Sequence, residues 1–405
     1  MQDETSNFTK EINYKKNNNK TVMIKTKNKC KPKINFNLII IIILIVICLV
    51  QFLIIYFLKK EKQNNDDFDT NDEDDTDDKS CTSDNNNLGS LYLYKGDNSL
   101  FINNNKTDIF KDKTKIHIAI CLDNKGVYPT LVSMTSALEN QDKNNTILIY
   151  YLLLSWNFDT KKIQIFESLK DIYTVIINYY IIPNIFKYVK TWRNSYTVYY
   201  KLLLPLMLPE LDRIIFLDGD TMIFKDLSEM YNLPFNNNYV LGYPFHTPFL
   251  IDKLGIKSKR YVNGGVLLFN IAEIRKNNMD LELLLYTLRN KKKLTFREQD
   301  TLNYVYNEKI GLLPFKFGIY LYGNLKIAKD KYLNRLRIRV NYDEFEKALK
   351  DPTVVHFCCC NPKIWFKKTK HEKGFDSVCL KYQKKFYYYA NKTKYYDKIY
   401  NKYMK

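Results

Sequence analysis

A short apolar run that stops on acids constrains this chain more than any other feature. Ile214, Ile215, Phe216 and Leu217 form a stretch of strand length with no polar residue inside it, the pattern of a strand buried on both faces. Asp218, Gly219 and Asp220 follow at once. Two carboxylates thus leave the carboxyl end of a buried strand, the place where open α/β sheets bind ligands. The glycine between them lets the backbone come close to such a ligand. Two acids one residue apart repel unless a positive charge lies between them, and a hard divalent cation that keeps water and phosphate oxygens as its other ligands supplies one. Asp-Gly is equally a hairpin-turn signal. Taken alone, the motif leaves a metal–diphosphate site and a plain turn both open.

The surrounding pattern alternates. Lys115 to Leu122 reads as a strand that ends on Asp123 and Asn124, and Pro129 to Asn140 as a helix after it. A strand over Ile147 to Leu154, a helix over Lys161 to Leu169 and a strand over Tyr173 to Asn178 continue the series. Strand, acid, helix repeated in this way predicts an α/β domain with a mostly parallel central sheet and helices on both faces. Asp123 and Asp218 then share the ligand-binding edge.

Upstream, Leu38 to Leu58 is nearly continuous Ile, Leu, Val and Phe, long enough to cross the roughly 30 Å of hydrocarbon in a bilayer. It reads as an uncleaved signal anchor, because the arm before it is too long for a signal peptide and no small-residue cleavage site follows. Nine lysines precede it and the acidic stretch Asp66 to Asp78 follows, which predicts a cytosolic amino terminus. Gln63 to Asn87 holds too few apolar residues to build a core. Asn105, Asn144 and Asn391 are sequon asparagines if the folded part is luminal. The formal charge of +19 is spread over the arm, the folded part and a Lys- and Tyr-rich end, with no nucleic-acid motif, so it reads as a solvated basic surface facing anionic membrane or a phosphorylated substrate and no nucleic-acid partner is expected. Of the eight cysteines, Cys358, Cys359, Cys360 and Cys379 are close in sequence, and no pairing follows from spacing alone.

LDGD at 217–220, VNGGVLLFN at 262–270, EQDTLN at 298–303 and HFCCCNPKIW at 356–365 together resemble, in order and spacing, the signatures of family 8 glycosyltransferases. That retaining group includes bacterial lipopolysaccharide galactosyl- and glucosyltransferases, glycogenin and xylosyltransferases. The resemblance runs from about Lys115 to Lys368 and implies the GT-A nucleotide-diphospho-sugar transferase fold. It implies a UDP-sugar donor, a glycan or glycoprotein acceptor, and Mn²⁺ or Mg²⁺ held by Asp218, Asp220 and His356. It further implies that Asp123 and the Cys121 backbone meet the uracil, with Asn124 beside them, and that Lys201 and Lys363 meet the donor. Gly219, Asn263, Gly264 and Gly265 would let backbone approach the donor sugar, the last three in a loop before a strand at Val266 to Asn270. Glu298 would bind sugar hydroxyls, Asp300 would brace its loop, and Gln299 would face the β side of the anomeric carbon.

The expected plan is therefore a basic cytosolic arm over 1–37, a transmembrane anchor over 38–58, an acidic stem over 59–112, a catalytic domain over 113–372 and a basic Tyr/Lys-rich segment over 373–405. Such a type II protein belongs to the secretory route, in the Golgi or endoplasmic reticulum. The last signature departs from the family pattern: Cys359 stands for a glycine, Ile364 for a proline, and Lys363 lies one residue further from His356. Glu298 also replaces the usual aspartate, and Lys125 stands where an asparagine is common.

Overall fold

The computed structural model describes residues 112–191, 195–245, 248–258, 260–320, 342–358, 363–367 and 377–405. The arm, the 38–58 stretch and nearly all of the stem lie outside them, as do Asn105, Cys359 and Cys360. Among the described residues no helix is long and apolar enough to cross a membrane.

The main sheet has seven strands in the order β3-β2-β1-β4-β7-β6-β8. They are β1 (Thr114–Leu122), β2 (Thr146–Leu154), β3 (Val175–Ile181), β4 (Arg213–Leu217), β6 (Val240–Pro244), β7 (Val262–Asn270) and β8 (Ile310–Leu312). β1, β2, β3 and β4 run parallel, while β7 is antiparallel to both of its neighbours. A small sheet, β5-β10-β9, joins β5 (Thr221–Ile223), β9 (Ile319–Tyr320) and β10 (Val354–His356). The longer helices are α1 (Val127–Asn140), α2 (Glu282–Arg289), α3 (Glu298–Tyr306), α4 (Tyr342–Lys350), α5 (Ser377–Ala390) and α6 (Tyr396–Met404).

Alternation along the strands explains the two-sided core. In β4, Ile215 and Leu217 point into one apolar cluster and Ile214 and Phe216 into the other, all nearly inaccessible. In β2 every residue is buried. A strand covered on both faces needs apolar residues at every position, which is why these runs lack a period of two. α1 covers the first face, together with Tyr382, Phe386 and Tyr389 of α5 and Ile399 and Tyr403 of α6. Leu283 of α2 and Leu302 and Tyr306 of α3 cover the second. The Lys- and Tyr-rich end, which composition leaves without a fold, is thus two helices that carry part of the core.

Three expectations need adjustment. The helix expected over 161–169 is a short α turn, Ile163–Glu167, between 3₁₀ turns. The third strand begins at Val175 and runs to Ile181. Asn263, Gly264 and Gly265 do not form a loop before a strand; they lie inside β7, which begins at Val262. The β6–β7 register shifts between Gly242 and Pro244, opposite this stretch, so the strand continues through an irregularity instead of turning.

Candidate active site

The reversal of β7 builds the site. Because β7 runs against β4, its first residues meet the carboxyl end of β4: Leu217 pairs with Val266, and the Asp218 backbone N–H donates to Gly265 O at 2.8 Å. β10 is also antiparallel to its neighbour β5, in a register that sets His356 opposite Thr221. Phe357 N–H then donates to Asp220 O at 2.9 Å. Two antiparallel pairings therefore bring residues from three distant stretches of chain to one strand end.

There the acids and the imidazole converge. His356 Nε2 lies 3.1 Å from Asp220 Oδ1 and 3.4 Å from Asp218 Oδ2. One ligand atom from each of the three lies within 4.8 Å of the others. Two carboxylates and an imidazole suit Mn²⁺, and a Cβ on Gly265 would run into His356 and into Asp218 Oδ2, so glycine keeps this cradle open. The residues fit a divalent cation. The Asp218 side chain keeps 37% of its surface accessible while that of His356 keeps 3%, which leaves an entry on the Asp218 side.

Two ammonium groups flank the acids. Lys363 Nζ donates to Asp220 Oδ2 and Phe357 O, both at 2.7 Å, and to Cys358 O at 3.3 Å. Lys201 is almost wholly buried; its Nζ donates to Gly264 O at 2.7 Å and lies 3.2 Å from Glu298 Oε1 and 3.5 Å from Asp218 Oδ1, over the Phe216 ring. Burial would drive its proton off, but Asp218 and Glu298 more than offset this and raise its pKa. Burial raises the Asp220 and Asp218 carboxyls, yet Lys363 and His356 beside the first, and Lys201 and His356 beside the second, hold both below the usual carboxylate range. Glu298 behaves otherwise: burial wins over Lys201 and lifts it to about 7.

Burial lowers His356 too, but Asp220 and Asp218 prevail and bring it from 6.5 to about 9. Its share of stability is fully present below pH 6.5 and is lost as pH rises through about 9. A bound cation must displace this proton. Mn²⁺ affinity in the presence of UDP is expected to rise about tenfold per pH unit across that window and to lose the slope in His356→Ala. Calorimetry at several pH values checks this, and an affinity flat with pH in the wild type contradicts it.

The remaining residues divide. Gln299 Oε1 accepts from Gly264 N–H at 2.9 Å, while its Nε2 is buried without a formed hydrogen bond, the Tyr261 hydroxyl being among its neighbours. Asn263 Oδ1 accepts from Gly265 N–H at 2.8 Å and fixes the strand irregularity. Asp300 braces its loop, with Oδ2 accepting from Thr295 and Phe296 N–H and Oδ1 from Tyr261 OH. The Cys121 thiol, driven up by burial, sits within the fields of Lys201, Asp218 and Glu298. Asp123 spends Oδ1 on Lys125 and Gly126 N–H, closing the turn into α1. Asn124 spends its amide within the protein: Nδ2 donates to Asn157 O, and Oδ1 accepts from Asp159 N–H and Lys162 Nζ. Gly219 is close-packed, since a Cβ there would strike the Thr130 hydroxyl of α1, itself buried without a partner.

Two contributors have no role in the sequence reading. Asn303 Oδ1 accepts from Val262 N–H at 2.7 Å, and its Nδ2 donates to Val262 O and Gln299 O, tying α3 to the first residue of β7. Its spacing, one helical turn after Gln299, is the signal that could have found it. Arg297 precedes α3 at φ +54°, a region that costs a non-glycine residue about 1–3 kcal/mol. Its guanidinium holds the strained turn through Thr191 O, Leu294 O and Thr295 O.

The fold is an α/β sheet with one reversed strand that brings acid, acid and imidazole to its carboxyl edge. Glycosyl transferase family 8 matches residues 117–369, and the chain belongs to that family. It is 22% identical over 184 residues to a curated Haemophilus influenzae protein whose name assigns it provisionally to the glycosyltransferases. That alignment takes in 44% of this chain, which spans about half (51%) of the relative's length. Among solved structures it is similar to the WbbM bifunctional glycosyltransferase, with TM-score 0.59, 19% identity and coverage of 73% of this chain and 53% of that one. It is also similar to the galactosyltransferase LgtC in complex with donor and acceptor sugar analogues, with TM-score 0.57, 16% identity and coverage of 69% and 96%. At such identities these likenesses speak for the fold.

Proposed function

We propose that the protein is a retaining glycosyltransferase that moves glucose, galactose or xylose from a UDP-α-sugar to a glycan or glycoprotein, assisted by Mn²⁺ or Mg²⁺. The observation that carries this reading is the convergence of Asp218, Asp220 and His356 with Lys201, Lys363, Glu298 and Gln299 at one strand end. Asp218, Asp220 and His356 hold the cation, which when bound neutralises the leaving diphosphate. Lys363 adds a second positive charge beside it. Lys201 binds the Gly264 carbonyl and Glu298 together, so that Glu298 is held for donor-sugar hydroxyls. Asp123, with the Cys121 backbone, serves the uracil.

Gln299, a neutral amide, is too weak a nucleophile to form a covalent glycosyl-enzyme readily, which favours front-face return. In that course the C1–O bond to the diphosphate breaks, the acceptor oxygen bonds to C1 from the same face, and the diphosphate takes the acceptor proton. Gln299→Ala should lower turnover by on the order of 10²-fold while UDP affinity stays within about threefold. Loss of UDP affinity as large as the loss of turnover would place Gln299 against the diphosphate instead.

The test of the reading is cation-dependent release of UDP from UDP-glucose, UDP-galactose or UDP-xylose. Failure with all three, alongside UDP binding, supports a nucleotide-binding protein without turnover. By the lysine asymmetry around 38–58, the folded part is luminal, in a single-pass type II protein of the secretory route. Protease treatment of intact microsomes should spare it; digestion without detergent reverses the orientation.

A further inference from the structure

We propose that Gln383 and Tyr387 are positioning residues for Lys363, so that helix α5 sets the ammonium that meets Asp220. Residues 363–367 belong to neither sheet. Their carbonyls are taken up by side chains: Gln383 Nε2 donates to Ile364 O at 2.8 Å and Phe366 O at 2.9 Å, and Tyr387 OH donates to Trp365 O at 2.6 Å. Positions 383 and 387 are one helical turn apart and so share a face of α5. Both acceptors of the glutamine are carbonyl oxygens, which fixes its amide nitrogen toward them. Lys367 N–H continues the grip by donating to Tyr403 O of α6.

Three consecutive carbonyls held in this way fix the backbone from which the Lys363 side chain reaches 2.7 Å to Asp220 Oδ2. A lysine stem has four rotatable bonds, so its ammonium is placed only as well as its backbone is held. Ile364 and Trp365 are buried, and Trp365 packs on Phe386 at 5.7 Å between ring centroids. Apolar packing alone would anchor the segment in the core; hydrogen bonds to successive carbonyls also fix its rotation about its own axis, and with it the direction of Lys363. The segment's departure from the family pattern at Ile364 and in the spacing of Lys363 falls where this grip acts.

The consequence for nucleotide binding rests on the reading of Lys363 as a diphosphate contact; the grip itself does not. The full chain carrying Gln383→Leu, Tyr387→Phe or both is labelled with an amine-reactive acyl ester, and modification of Lys363 and Lys201 is followed by mass spectrometry. Lys363 should label about fivefold faster or more in the double variant, with Lys201 unchanged and the melting temperature within a few degrees. UDP affinity in the presence of Mn²⁺ should fall about tenfold, and the double variant should cost nothing further in a Lys363→Ala background. Unchanged Lys363 labelling in a folded variant overturns the proposal, as does an equal loss of affinity in the Lys363→Ala background. If the double variant fails to fold, Tyr387→Phe, which removes one hydroxyl, carries the labelling test. If Lys363→Ala leaves UDP affinity intact while labelling rises as expected, the positioning role stands and the diphosphate contact falls.

Discussion

Replacing Asp220 by asparagine is expected to reduce cation-dependent turnover on the order of 10³-fold or more in a protein that stays folded. The carboxylate does three things at once: its Oδ1 faces His356, its Oδ2 accepts from Lys363, and its charge raises the pKa of His356. Asparagine keeps the shape but offers one acceptor oxygen where two are used, and its amide N–H₂ would face a cationic donor. The cation loses an anionic ligand, and the leaving diphosphate loses neutralisation, so affinity and rate fall together. The fold survives because the Asp220 carbonyl still accepts from Phe357 N–H and the β5–β10 pairing does not involve the side chain. A plain turn predicts the reverse, since asparagine is as good a turn residue as aspartate. Calorimetric titration of Mn²⁺ with UDP, beside a melting curve on both proteins, distinguishes them: unchanged metal binding in folded Asp220→Asn removes the metal assignment.

Lys201→Met should be the most destabilising single change at the site, by about 3–5 kcal/mol. The methionine matches the stem in length but leaves Glu298 and Asp218 facing each other across the gap that the buried Lys201 ammonium now fills. Removing one partner of a buried ionic cluster costs more than the pair contributes, because Glu298, with 11% of its side chain accessible, stays desolvated, while Asp218, 37% accessible, regains some solvent screening. Glu298 can escape by taking up a proton, which its already raised pKa makes easy, whereas Asp218 cannot without losing its grip on His356. Lys201→Met/Glu298→Gln should therefore recover part of the loss. Chemical denaturation of the three proteins measures this, and a Lys201→Met midpoint equal to that of the wild type contradicts the buried-cluster account.

Much of this was legible in the residues. Strands β2 and β4 announce themselves because burial on both faces leaves almost no room for polar positions, and the acids at 218 and 220 end β4 at the edge where a ligand was expected. His356 was reachable only by resemblance, since nothing local to Val354-Val355-His356 says that β10 pairs antiparallel with β5 in the register that sets it opposite Thr221. The resemblance placed Asn263 to Gly265 in a loop before a strand; tertiary pairing instead carries them into β7, whose Gly265 carbonyl accepts from the Asp218 N–H. Asn124 was placed beside the uracil by resemblance; in the structure its side-chain amide is engaged by Asn157, Asp159 and Lys162, since a short amide is easily captured by nearby backbone. Arg297 carries no signal, because a positive φ at arginine is imposed by its surroundings.

The central claim is sugar transfer with retention at the Asp218–Asp220–His356 site, and slow hydrolysis of the donor tests it without knowledge of the acceptor. UDP-glucose, UDP-galactose and UDP-xylose, each incubated with Mn²⁺ and the full chain, are followed by proton NMR faster than the released sugar mutarotates. The account predicts that one of them is consumed only with the divalent cation and that the first free sugar is the α anomer. A β anomer formed first, or consumption that persists unchanged after chelation and in Asp220→Asn, would contradict it.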